Sequence, residues 1–352
     1  MEQRPLGHTG LTVSKICLGT MTFGAQNSEA EGHEQLDFAL DNGVNFLDAA
    51  EMYSVPVKQE TWGRTEEIIG TWLAGRKKRD DVIVATKVCG RSTGFSWARP
   101  HIHGGITKLD RQSIKEACDA SLKRLQTDYI DLYQMHWPDR QTNYFGKLNY
   151  EPPAKDVSVP LAESLSAMGE LIKEGKVRAV GVSNETPWGV MECLRLAEVE
   201  GLPMIHSIQN PYNLLMRTYE IGLAEVSIET GVGCLAYSPL AMGVLSGKYM
   251  DGNMPEGSRM ALFPDYFPRY MKPLAQRETV KYVNLARKHG LDPTEFALAF
   301  VNDRPFMTSN IIGATSVGQL KACLKSASLT LSDEVLEEID EIHLETPIPC
   351  QA

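Results

Sequence analysis

Asp48, Tyr53, Lys87 and His136 are residue types that could together move a proton. A free tyrosine has a pKa of about 10, too high for easy proton exchange at neutral pH. A nearby ammonium favours the phenolate and lowers that value. Lys87 could supply the charge, Asp48 could hold Lys87, and His136 could orient a substrate oxygen or relay a proton. The set suits a general acid acting on a developing alkoxide, as carbonyl reduction requires. Each residue alone has a blander reading. Asp48 could be a hydrogen-bond anchor, Lys87 a solvated cation, His136 a core histidine beside Trp137, and Tyr53 a loop aromatic. The chemistry holds only if the fold brings the four together.

Eight short β-rich runs recur along the chain: Ile16–Gly19, Val44–Asp48, Val82–Thr86, Tyr129–Gln134, Val177–Val182, Met204–Ile208, Gly233–Tyr237 and Thr308–Ile312. Amphipathic stretches of helical length alternate with them. They fall at Glu34–Leu40, Thr65–Leu73, Ser113–Leu125, Leu161–Ile172, Trp188–Ala197, Thr218–Ile228 and Val317–Lys325, with Ser332 as an N-cap opening a last helix. Repeated βα units with apolar strands predict a parallel sheet covered by helices. Eight of them predict a closed (β/α)8 TIM barrel, read as one domain over 1–352 although the length alone would allow two. Turn signals at Gly7 and Thr9-Gly10 predict an N-terminal β-hairpin cap on the barrel floor. Three connections, 88–110, 137–160 and 238–273, are long enough to be functional rim loops. They carry Phe95, Trp97, His101 and His103; Tyr144, Phe145 and Tyr150; and the run from Phe263 to Tyr270.

In such a barrel the chemistry sits at the C-terminal ends of the strands. Asp48, Thr86-Lys87, His136, Ser183-Asn184, Gln209-Asn210 and Tyr237-Ser238 all fall there, with Tyr53 five residues past Asp48. Other templates fail. Two carboxylates facing across the mouth, as a glycosidase needs, are missing, because strands four and seven end in His136 and Ser238. His101 and His103 share one loop without further plausible metal ligands, so no metal is expected. Gly231–Ala236 spells G-x-G-x-x-A but precedes a strand instead of following one, and Ser246-Gly247-Lys248 lacks the first glycine of a P-loop.

The net charge of −10 argues against a nucleic-acid or anionic-membrane surface. No apolar run reaches membrane-spanning length, so membrane insertion is not expected. The N-terminus lacks the apolar core of a signal peptide. Seven scattered cysteines without a C-x-x-C pair read as reduced thiols, and a cytoplasmic location is expected. The sequence carries no clear oligomer signal.

The motifs are recognisable in their order and spacing. They are Gly19-Thr20-Met21-Thr22-Phe23-Gly24, Asp48-Ala49-Ala50-Glu51-Met52-Tyr53, Ser121–Tyr129, Gly181-Val182-Ser183-Asn184, Gln209-Asn210-Pro211-Tyr212-Asn213, Tyr237-Ser238-Pro239-Leu240 and Gly313-Ala314-Thr315. On these the chain resembles the aldo-keto reductase superfamily over nearly its whole length, in particular the bacterial Tas-type reductases and, more distantly, the potassium-channel β-subunits. The resemblance implies a catalytic tetrad of Asp48, Tyr53, Lys87 and His136, with Tyr53 as general acid. It implies NADPH (NADP+) as cofactor and a small aldehyde or ketone as substrate. Ser183, Asn184 and Gln209 would hold the carboxamide, and Tyr237 would stack on the nicotinamide. Thr20, Met21, Gln26 and Asp48 fall on cofactor-contacting positions. Ser238, Pro239, Leu240, Ala241, Met242 and Lys248 match the loop over the pyrophosphate. Arg259, Thr315 and Gln319 match the adenosine-phosphate end, with Gly313 beside them.

One departure is local. Ala322 and Cys323 stand where many relatives carry a Glu and an Asn that contact adenine. The tail after the last helix is short, so the three rim loops are expected to select the substrate. The resemblance leaves two functions open: an NADPH-dependent carbonyl reductase, or an NADPH-binding, redox-sensing regulatory subunit like the channel β-subunits.

Overall fold

The computed structural model describes residues 1–350 apart from positions 77, 146 and 267. An antiparallel hairpin, β1 (Gln3–Pro5) and β2 (Thr12–Ser14), comes first. Then follow β3 (Ile16–Gly19), α1 (Glu29–Asp41), β4 (Phe46–Asp48), α2 (Arg64–Ala74), β5 (Ile83–Val88), α3 (Arg111–Leu125), β6 (Ile130–Met135) and α4 (Leu161–Lys173). The second half holds β7 (Val177–Ser183), α5 (Pro187–Glu200), β8 (Ile205–Pro211), α6 (Leu223–Thr230) and β9 (Gly233–Tyr237). A short α7 (Arg259–Leu262), then α8 (Pro273–Lys288) and α9 (Pro293–Asn302), lead to β10 (Met307–Ile312), α10 (Val317–Lys325) and α11 (Asp333–Glu345). Strands β3 to β10 pair in parallel in chain order, and β10 closes on β3 through Ile311 beside Cys17. This is the (β/α)8 barrel expected from the alternating pattern.

Strand period explains how the barrel presents its polar groups. Side chains two residues apart share a face. Phe46, Ile83, Ala85, Leu132, Ala179, Leu235 and Ile311 fill the interior together with Leu6 of the hairpin. Two residues further along those strands come Asp48, Lys87, Gln134, Gly181 and Tyr237. The apolar plug therefore carries a polar layer at the C-terminal mouth. Leu6 is fully buried, and Gly7 (φ +52°) brings the hairpin against His206, where an added Cβ would lie 2.5 Å from the carbonyl oxygen. The hairpin thus caps the floor.

Three differences from the sequence reading have local causes. Helix α1 starts at Glu29, earlier than the apolar period shows, because Ser28 and Glu31 form a capping box. The stretch expected to be helical from Thr218 breaks into a 3₁₀ turn and α6, separated by Gly222 at φ +129°. The chain between β9 and β10 holds α8 and α9, to which the sequence reading assigns no helix. Both open with proline in the first turn, and Asp292 caps α9. All seven cysteines are buried and free of disulfides.

Gly70 shows how tightly the helical shell is packed. Replacing a mid-helix glycine with alanine ordinarily gains roughly 1 kcal/mol in propensity. A Cβ on Gly70 would lie 2.0 Å from the Arg124 carbonyl oxygen at the end of α3, so backbone must move. Overpacking of this kind costs about 1–3 kcal/mol. Gly70→Ala is expected to lower the melting temperature by several degrees, and a rise in Tm would show that α2 and α3 can separate freely.

Candidate active site

The mouth of the barrel opens into a cavity of about 1060 Å³. Its wall includes Asp48, Tyr53 and His136. Lys87 is fully buried behind them and contributes no wall surface. The ammonium of Lys87 donates to Asp48 Oδ2 at 2.7 Å and to the Ala49 carbonyl at 2.7 Å. It sits 4.9 Å from the centre of the Tyr53 ring. The Tyr53 and His136 rings meet edge to face, with centroids 5.8 Å apart. The fold therefore brings all four candidate residues together. Asp48 and Lys87 owe this to neighbouring parallel strands in which Asp48 pairs with Ala85.

The electrostatics differ from the sequence expectation in one respect. Burial raises the pKa of Tyr53 above its ordinary value and outweighs the lowering by Lys87. Tyr53 is therefore a phenol with a proton to give, not a ready phenolate. Burial opposes the charge on Lys87, yet Asp48 and Tyr53 prevail and its pKa is raised. Burial, with the Lys87 charge adding to it, pushes His136 well below the usual imidazole value. His136 is thus neutral at physiological pH, and its Nδ1 is buried without a partner.

A hydrogen-bonded chain continues around the mouth. Gln209 Nε2 donates to Asp48 Oδ1 at 2.8 Å, and Ser183 Oγ donates to the Gln209 carbonyl at 2.7 Å. Asn184, at φ +53°, donates through Nδ2 to the His136 carbonyl at 2.9 Å and accepts from the Tyr237 hydroxyl at 2.7 Å. Thr20, Met21, Gln26, Ser183, Asn184, Gln209 and Tyr237 all line the cavity. So do Ser238, Pro239, Leu240, Met242, Lys248, Arg259, Gly313, Thr315 and Gln319. Ala241 is the exception: its side chain is fully buried in the hydrophobic core and makes no part of the wall. Ser238 and Met242 have positive φ, as do Ala241 and Gly243, so this loop turns sharply over the cavity. Ala322 and Cys323 also line the wall.

The rim loops build an aromatic side to the same cavity. Trp62 contacts Phe95 at 5.4 Å between ring centroids, Phe95 contacts Trp137 at 6.4 Å, and Trp137 contacts Phe145 at 5.8 Å. Tyr150 lies outside, 60% exposed, and Phe267 lies outside the described residues. His101 and His103 pair with Glu116 and Asp110, and no group of three His, Cys, Asp or Glu side chains among the described residues is placed to hold a metal ion.

Two buried acids that the sequence reading passes over anchor these loops. Glu51 accepts from Arg99 Nη1 at 2.7 Å and from the Cys89 amide at 2.8 Å. Asp139 accepts from Arg91 at 2.7 Å, from the Leu109 amide at 2.9 Å and from the Val159 amide at 2.8 Å, tying the first long loop to the second. Gln134 was also missed, although it sits two residues before His136 and so shares its inward face.

A sequence model of the aldo/keto reductase family matches residues 15–344, and the chain belongs to that family. It is 50% identical over 344 residues to Protein tas of Escherichia coli (strain K12), covering 97% of this chain and 98% of that protein. It is 34% identical over 347 residues to the uncharacterized oxidoreductase YrpG of Bacillus subtilis (strain 168), covering 97% and 96%. It is 32% identical over 362 residues to a probable voltage-gated potassium channel subunit beta of Oryza sativa subsp. japonica, covering 99% and 98%. Membership makes the chain an NAD(P)H-dependent oxidoreductase. No helix among the described residues is long and apolar enough to cross a membrane.

The Glu51–Arg99 pair is open to a direct test. Burial opposes the charge on Glu51, but Arg99 and the Cys89 amide hold its pKa below the usual carboxylate range. The Glu51 side chain is 1% exposed and that of Arg99 9% exposed, so removing one charge strands the other. Glu51→Gln is expected to cost about 3–5 kcal/mol in denaturant unfolding. A loss below about 1 kcal/mol would show the pair to be solvated.

Proposed function

We propose that the protein reduces aldehydes or ketones to alcohols with NADPH, and that Tyr53 is the general acid. The observation that carries this is a buried, charge-paired lysine directly behind a protonated tyrosine on the cavity wall. NADPH, when bound, supplies the hydride. The chain's own residues do the rest. Tyr53 gives the proton on its hydroxyl to the carbonyl oxygen as negative charge gathers there. The fixed Lys87 ammonium stabilises the phenolate left behind. Asp48 holds Lys87 in place and is itself oriented by Gln209. Neutral His136, with Nδ1 enclosed, presents Nε2 to the carbonyl oxygen and positions it.

The residues present fit the cofactor. Ser183, Asn184 and Gln209 supply amide and hydroxyl groups suited to a carboxamide, with Tyr237 beside them as a stacking surface. Lys248 and Arg259 place positive charge along the same cavity, matching phosphate groups and favouring NADPH over NADH. Gln26 Oε1 and Ser258 Oγ are buried on the wall without a partner in the chain, as expected of groups that meet a polar ligand. A cytoplasmic location fits this reading.

The 32% identity to a channel β-subunit supports the second reading, an NADPH-binding redox sensor. Turnover separates the two. Tyr53→Phe is expected to reduce aldehyde turnover by about two to four orders of magnitude while NADPH affinity changes little. Full activity in that variant would remove Tyr53 from the mechanism. Stoichiometric NADPH binding with a single slow turnover in the unaltered protein would favour the sensor.

The pH profile follows from the direction of the Tyr53 shift. The acid form is needed, and its pKa lies above the ordinary value of about 10. Reduction should stay flat through neutral pH and fall only beyond that value. A decline near pH 7 would mean that Tyr53 is not the proton donor.

A further inference from the structure

Arg269 lies on the cavity wall where the third long loop crosses the second, and neither the tetrad nor the cofactor motifs use it. Its Nη2 donates to the Phe145 carbonyl, and its guanidinium carbon lies 5.8 Å from the Tyr270 ring. Its Nη1 lies 4.0 Å from the Met216 thioether, and its guanidinium also meets the Tyr237 and Tyr270 hydroxyls. These acceptors are all neutral. Among the described residues no carboxylate lies within ion-pair distance of Arg269, whereas Arg91 on the same wall is paired with Asp139. Burial raises the Tyr237 pKa, and Arg269, hydrogen-bonded at its hydroxyl, opposes that rise, which places Arg269 beside the mouth chemistry. A guanidinium has five donors in a planar fork that matches a carboxylate. Phe95, Trp137 and Phe145 form an apolar face in the same cavity.

Building on the proposed reductase reading, we infer that Arg269 anchors the carboxylate of the substrate, and that the preferred substrates are aromatic aldehydes or ketones bearing a carboxylate. The ring lies against the aromatic wall, the carbonyl meets Tyr53 and His136, and the carboxylate pairs with Arg269. The carboxylate is unchanged in the reaction. The carbonyl carbon gains the hydride and its oxygen gains the Tyr53 proton. A phosphate of the cofactor has the same affinity for guanidinium, but Lys248 and Arg259 already serve that end, and Arg269 is bonded to a loop that no cofactor motif includes.

The test compares 3- and 4-carboxybenzaldehyde with the matching methylbenzaldehydes in the unaltered protein, Arg269→Gln and Arg269→Lys. The unaltered protein should favour a carboxyl substrate by about tenfold or more in kcat/KM. Arg269→Gln should abolish that ratio, chiefly through KM, and Arg269→Lys should restore part of it. Benzoate binding to the NADP+ complex, measured by calorimetry, should weaken by a similar factor in Arg269→Gln. An unchanged ratio would overturn the inference. An equal loss for both substrates would do so as well, since it would make Arg269 a latch between loops. NADPH affinity weakened as much as that of benzoate would assign Arg269 to the cofactor instead. If the unaltered protein reduces none of these aldehydes, the reductase reading fails, while benzoate binding still decides the anchor.

Discussion

The structure of the mouth depends on one buried ion pair. Lys87 is fully buried and Asp48 nearly so, and neither could carry its charge there alone. The closed barrel makes the pair possible by placing β4 beside β5 and pointing both side chains into the same interior. The remaining lone pairs and protons are also met, by the Ala49 carbonyl and by Gln209 from the far side of the barrel. Geometry this complete is what lets a buried pair offset its desolvation. Tyr53 and His136 take their protonation states from burial first and from this pair second. Burial, with the lysine charge adding to it, keeps His136 neutral, and the same charge lies behind the Tyr53 ring, where in the proposed mechanism it meets the phenolate.

The loops follow the same rule at a larger scale. A long connection can shape a pocket only if something rigid holds it. Glu51 holds the first loop through Arg99, and Asp139 joins the first to the second through Arg91 and two backbone amides. Arg269 joins the second to the third through the Phe145 carbonyl. The aromatic wall is therefore suspended from charged groups that lie outside its own apolar surface. The rigid barrel and the adaptable rim are separated at the polar layer of strand ends.

Much of this was legible in the sequence. The eight strands show because each is a short apolar run between turn signals, and Asp48, Lys87 and His136 show because they fall at strand ends, with Tyr53 in the loop after β4. What failed did so for identifiable reasons. Helices α8 and α9 go unassigned because the reading stops with the loop at 273 and resumes at the strand from Thr308, although Lys272-Pro273 and Asp292-Pro293 are start signals. The direction of the Tyr53 shift was missed because burial cannot be weighed against a neighbouring charge until the burial is known. The burial of the Ala241 methyl, in a loop with positive φ at 238, 241 and 242, shows only in the folded chain. Glu51 and Arg99 are 48 positions apart, and no period links them. Arg269 is visible as a residue, but that no carboxylate among the described residues pairs with it shows only in the folded chain.

The buried cysteines acquire a meaning from this chemistry. Carbonyl compounds and their unsaturated relatives are electrophiles, and the species they attack is the thiolate. Burial raises the pKa of Cys118, Cys323 and Cys350 to about 12 and takes Cys17 and Cys89 well above the ordinary thiol value. Even Cys323, on the cavity wall, is only 3% exposed. Under the proposed reduction of carbonyls, burial keeps the seven cysteine thiols protonated, the form such electrophiles leave unmodified. That protection is a product of packing, and it lasts as long as the barrel stays closed.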